Sequence, residues 1–135
     1  MNQQSIQEKK ENILKDIQLK LLNRFGKSMG EANKAQLYLA CSLVIREEIM
    51  AKWLETRRSE AAQNGKKLYY LSVEFLPGRA FSNNLLNLDE TEIYREVLSD
   101  LGLSINELED MEADPGLGNG GLGRLANCFL DSLAT

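Results

Sequence analysis

Gly116-Leu117-Gly118-Asn119-Gly120-Gly121-Leu122-Gly123-Arg124 leads without a break into Leu125-Ala126-Asn127-Cys128-Phe129-Leu130-Asp131, and the rest of the chain is organised around this junction. Five glycines within eight residues free the backbone for positive φ and let another group come close to the main chain. Behind them Leu122, Leu125, Phe129 and Leu133 recur at intervals of three and four, the spacing of one helical face. The stretch reads as a glycine turn that opens a helix. A helix N-terminus carries unpaired N–H groups and the positive end of the macrodipole, so such a turn suits an anion, phosphate above all. The same pattern also serves a tight loop that binds nothing.

Two familiar phosphate motifs fail here. G-x-G-x-x-G matches at Gly116/Gly118/Gly121 and again at Gly118/Gly120/Gly123, but a dinucleotide site needs a preceding strand and an acidic residue about 20 positions on. The preceding residues, Asn106-Glu107-Leu108-Glu109-Asp110-Met111-Glu112, are acidic and helix-like, and the sequence given stops at Thr135. A P-loop requires Gly-Lys-Ser/Thr, whereas Arg124 follows Gly123.

Upstream, Leu68-Tyr69-Tyr70-Leu71-Ser72-Val73-Glu74-Phe75 is aromatic, β-branched and bounded by turn signals, which predicts a strand buried on both faces. No second segment reads as its partner. Glu74 interrupts the end of this run and Arg79 follows the turn Leu76-Pro77-Gly78, so the two form either a pair that orients a ligand or an ion pair that ties the turn. Residues 85–88, 93–101 and 103–111 predict short helices, with Asp89 as N-cap of the middle one.

Towards the start, Ile6, Ile13, Ile17, Leu21 and Leu22 predict an amphipathic helix through about Phe25, preceded by frayed polar residues 1–4. Gly26 and Gly30 bracket a loop. A second helix from Asn33 or Lys34 carries Leu37, Cys41, Val44 and Glu48 on one strip and Leu43, Ile45, Ile49 and Trp53 on the next. With no Gly or Pro before Gly65, it runs for some thirty residues, about 40 Å, and needs several neighbours to cover it. The organisation is one partial domain: helix and loop over 1–30, long helix over 31–65, strand and short helices over 66–115, glycine turn and helix over 116–135.

The 135 residues are 43% hydrophobic and 27% charged, which suits a globular domain rather than a disordered chain. A net charge of −4, with Lys and Arg dispersed among the acids, argues against nucleic acid as a partner. No apolar run is long enough to span a membrane and no signal-peptide pattern is present, so the expected location is cytoplasmic. With no His and no Cys-x-x-Cys, the sequence holds no metal site and no Ser-His or Cys-His nucleophile pair. Cys41 and Cys128 lie on apolar faces and read as small buried hydrophobes.

Four blocks carry a family resemblance: residues 68–79, Asn84-Leu85-Leu86-Asn87-Leu88, Leu101-Gly102-Leu103, and residues 116–135. In order and spacing they closely resemble the amino-terminal part of glycogen and maltodextrin phosphorylases, and the resemblance extends over about residues 20–135. It implies a mostly α chain with one or two strands, a fragment of the amino-terminal domain of an α/β, two-Rossmann-domain (GT-B) glycosyltransferase. The implied reaction transfers a terminal glucosyl unit from an α-1,4-glucan to inorganic phosphate, giving glucose 1-phosphate, with pyridoxal phosphate as a proton shuttle. By motif position the backbone N–H of Gly121 binds the substrate phosphate, Leu122 touches the glucosyl unit, and Gly120 and Leu76 lie beside the cofactor. Leu76 stands where animal members have Tyr, which implies a bacterial type. The cofactor-bearing lysine has no counterpart in these residues, so the chain alone is expected to be inactive and to hold no complete catalytic set. Its exposed faces imply a homodimer or larger assembly. The alternative is a non-catalytic helical module that self-associates, from an interrupted phosphorylase gene.

Overall fold

The structure, a computed structural model, describes residues 3–134. The expected fraying of residues 1–4 falls partly outside that range, at Met1 and Asn2; Gln3 and Gln4 already belong to the first helix. Among the described residues six α-helices follow one another: α1 (Gln3–Phe25), α2 (Lys34–Gln63), α3 (Phe81–Asn87), α4 (Thr91–Asp100), α5 (Ile105–Glu109) and α6 (Gly121–Ala134).

Local chemistry sets most of the boundaries. Gly26, at φ +63°, closes α1 with its N–H donating to Leu22 O at 2.9 Å. Asn33 caps α2 reciprocally: its Oδ1 accepts from Gln36 N–H at 2.9 Å while Gln36 Oε1 accepts from Asn33 N–H at 3.1 Å. The helix ends at Asn64 in a left-handed conformation. Ser104 and Glu107 cap α5 in the same reciprocal way.

The core is helix on helix. Ile13, Ile17 and Leu21 on α1 meet Leu37, Ala40, Cys41 and Ile45 on α2, and Phe81, Leu85, Tyr94, Val97, Leu98 and Leu108 from the short helices complete the cluster. Burial pushes the Cys41 thiol up to about 12, so it stays a neutral thiol in that core. Beside it lies a charged node. Glu90, almost fully buried at the start of α4, is paired with Lys9 of α1, and Glu48 of α2 lies beside it. Desolvation and the adjacent Glu90 charge raise the Glu48 carboxyl above the ordinary carboxylate range.

Several expectations need correction. Residues 66–75 form no strand: Leu68, Tyr69, Leu71 and Val73 are exposed, and among the described residues the only pairing is an isolated antiparallel bridge between Phe75 and Leu117, with both N–H···O distances 2.7 Å. β-Propensity describes how side chains suit a sheet, but a strand also needs a second backbone to take its N–H and C=O groups, and no described segment offers one along residues 68–74. Asp89 does not cap α4. The N-cap is Glu90, and Asp89 takes φ +59° because the chain is still unwinding from α3 there, with Glu90 N–H donating to Leu85 O at 2.9 Å. Cys128 is exposed, since nothing described covers that side of α6.

One pH dependence follows from the α2–α5 contact. Lys34 Nζ donates to Glu107 Oε1 at 2.7 Å, and this hydrogen bond, followed by those from Ser104, lowers the Glu107 carboxyl from 4.5 to about 2. A depressed folded-state value means the contribution is present above pH 4.5 and is lost as pH falls towards 2. Glu107→Gln is expected to flatten the stability profile in that window, measured by urea unfolding at successive pH values. An unchanged slope contradicts it.

Candidate functional site

The glycine turn is held from below by residues 74–76. The Phe75–Leu117 bridge aligns the two segments, Leu76 N–H donates to Gly123 O at 3.1 Å, and Gly123 N–H donates to Glu74 Oε2 at 3.3 Å. Ser72 fixes the approach: its hydroxyl donates to Glu74 O at 2.6 Å and accepts from Glu74 N–H at 3.2 Å.

This packing explains four of the five glycines. A Cβ on Gly116 would stand 2.8 Å from Leu76 Cδ2, one on Gly118 2.5 Å from Glu74 Cγ, one on Gly120 3.2 Å from Glu74 Oε2, and one on Gly123 2.9 Å from Leu76 Cγ. Gly118 also has φ +89°, which side-chain-bearing residues rarely adopt. Gly121 differs. A Cβ there would meet nothing within 4 Å, and its φ is not in the left-handed region. Neither Gly121 N–H nor Leu122 N–H is satisfied by a described residue, and both open the first turn of the 14-residue α6. The arrangement offers backbone donors and a helix dipole to an anion, with room for it at Gly121.

The other residues singled out from sequence fall as follows. Leu122 is exposed beside Gly121. Gly120 and Leu76 face Glu74 and the neighbouring glycines. Glu74 and Arg79 are not brought together: Arg79 Nη1 reaches Asp110 Oδ1 at 3.4 Å, while Glu74 turns into the glycine loop. The sequence reading missed Glu74 as the floor of the turn, and it missed Glu112, which caps α3 by accepting from Ala80 N–H at 2.8 Å and Phe81 N–H at 3.1 Å. The only local signals were an acid inside an apolar run and an acid at the end of an acidic one.

The apolar face of α6 is open. Its buried positions are Gly123, Ala126 and Asn127, whereas Leu122, Leu125, Phe129 and Leu133 are exposed. Tyr70 lies edge-on to Phe129 with ring centroids 5.8 Å apart, in a cleft of about 320 Å³ also lined by Leu68, Tyr69, Ser132 and Leu133. Pyridoxal phosphate does not fit this chain taken alone. The sides of Gly120 and Leu76 are filled by Glu74 and by Gly116 and Gly123, and no lysine lies on the turn.

Residues 98–135 match the carbohydrate phosphorylase family. The chain belongs to that family, in a region corresponding to the amino-terminal part of its members. Among glycogen phosphorylases it is 44% identical to that of Bacillus subtilis over 110 residues, covering 82% of this chain and 14% of the relative. It is 42% identical to that of Haemophilus influenzae over 125 residues, covering 93% and 15%, and 43% identical to the brain form of Bos taurus over 109 residues, covering 81% and 13%. The chain thus spans about one seventh of the length of these relatives.

Proposed function

We propose that these residues build one wall of the active site of a cytoplasmic α-1,4-glucan phosphorylase, which transfers a terminal glucosyl unit from glycogen or maltodextrin to inorganic phosphate and releases glucose 1-phosphate. Gly121 carries the reading: it is the one glycine of the turn whose bareness no packing contact requires, and its N–H is free. A glycine at the start of a helix costs backbone entropy, so its use there is accounted for by a ligand that must come close. In this role Gly121 N–H meets the substrate phosphate and the backbone of Leu122 meets the glucosyl unit. Residues 68–73 and the open face of α6 are covered within a GT-B architecture. Pyridoxal phosphate belongs to that larger enzyme, anchored by a lysine outside these residues.

The test is a chimera in which residues 68–134 replace the matching stretch of the Bacillus subtilis enzyme. Phosphorolysis of maltodextrin is expected to persist, and the 135-residue chain alone is expected to show none. A folded, soluble chimera without phosphorolysis overturns the reading.

The exposed apolar surface supports a second property of the chain in isolation. Leu71 is 93% exposed and Val73 87%, and Leu122 and Leu133 are exposed as well, large apolar side chains that favour association when left facing water. Self-association at micromolar concentration is expected in sedimentation; a clean monomer that binds no hydrophobic dye contradicts it.

A further inference from the structure

We infer that Glu74 is a positioning residue for the glycine turn, and that its carboxylate sets how much negative charge the turn accepts at Gly121. Its main chain is fixed on both sides, by Ser72 and by the Phe75–Leu117 bridge, and its side chain lies among Gly118, Gly120 and Gly123, where any Cβ would crowd it. No cation neutralises it: among the described residues no Lys or Arg reaches its carboxylate. The charged side chains nearest in sequence on the segments around it are Arg79, which is taken by Asp110, Asp114 ahead of Gly116, and Arg124 in the first turn of α6.

The carboxylate therefore rests on Gly123 N–H and the positive end of α6. It occupies one side of the amide cluster and leaves the other side, at Gly121, open. Two anions then share one helix end, and each weakens the hold on the other. The benefit is geometric: the glycine turn is held in shape before any ligand arrives, so its donors need no reordering. The charge-setting half rests on the phosphate reading above; the positioning half does not.

Both halves are read from backbone amide NMR signals of the isotopically labelled chain, followed between pH 7 and pH 3 and then, at pH 7, against added inorganic phosphate. In the native chain Gly123 N–H is expected to follow a single carboxylate titration that is lost in Glu74→Gln, while the amide side chain still accepts from Gly123 and keeps the turn. Glu74→Asp keeps the charge but withdraws it by one methylene, and its Gly123 N–H is expected to exchange faster with solvent. Phosphate is expected to shift Gly121 rather than Gly123, at lower concentration in Glu74→Gln than in the native chain. A Gly123 titration of equal size in Glu74→Gln overturns the positioning role. Equal phosphate response at Gly121 in both chains overturns the charge-setting role. A Gly121 that ignores phosphate in both, with the Glu74-dependent titration intact, overturns the phosphate reading and supports the positioning role alone.

Discussion

Replacing Gly121 by valine in the phosphorylase chimera is expected to lower kcat/KM for inorganic phosphate by about 10²-fold to 10³-fold, the size of loss that follows when one hydrogen-bond donor to a developing charge is lost, because the added side chain holds the anion away from the Gly121 N–H. The reasoning is spatial. The new Cβ meets no protein atom, so the turn keeps its shape, and the added bulk stands only where an anion would approach the main chain. Gly118→Ala is the contrasting case. Its φ of +89° and the 2.5 Å approach to Glu74 Cγ break the turn itself, with a loss of folding rather than of phosphate use alone. Unchanged phosphate kinetics in Gly121→Val would return the glycine to a purely structural role.

The second large effect lies at the Lys9–Glu90 pair. Lys9→Met leaves the Glu90 carboxylate buried at 1% exposure beside Glu48, with no cation. Equilibrium urea unfolding is expected to show a loss of about 3 kcal/mol, the low end for breaking a buried pair because the Lys9 side chain is itself 41% exposed. Lys9→Met combined with Glu90→Leu is expected to recover most of that loss, since an apolar side chain needs no partner. The raised Glu48 value gives the pH sign. A carboxyl that holds its proton more tightly when folded stabilises the fold at low pH, so the Lys9→Met defect should deepen as pH rises through its titration. A single variant with native stability, or a double variant as weak as the single, contradicts this account.

What was legible in the sequence was what depends on near neighbours. The four-residue steps of Ile13, Ile17 and Leu21 mark the buried face of α1, and the start of α2 at Asn33 or Lys34 is likewise set within a single helical turn. The run at residues 68–75 misled for the opposite reason. Tyr70 and Val73 suit a sheet, yet whether they join one depends on a backbone from elsewhere. Asp89 suits a cap by residue type, but the exit from α3 carries it to φ +59°, and the N-cap falls on Glu90 instead. The site divides in the same way. The glycine turn and its helix are local and could be read, whereas the docking of Glu74 under Gly123 joins positions 49 residues apart and leaves no periodic trace.

The length of α2 has a mechanical consequence. Its packing against the core ends at Ile49, with Lys20 bound to Glu47 just before, and residues 50–63 are exposed throughout. At 1.5 Å per residue those fourteen residues make an arm of roughly 21 Å, so a rotation of about 5° about the anchored end carries the tip through roughly 2 Å. The tip is joined through Asn64 to the segment that bears Ser72, Glu74 and Leu76. A change in packing too small to disturb the helical core is thus magnified at the far end of the rod, and arrives on the chain that holds the glycine turn.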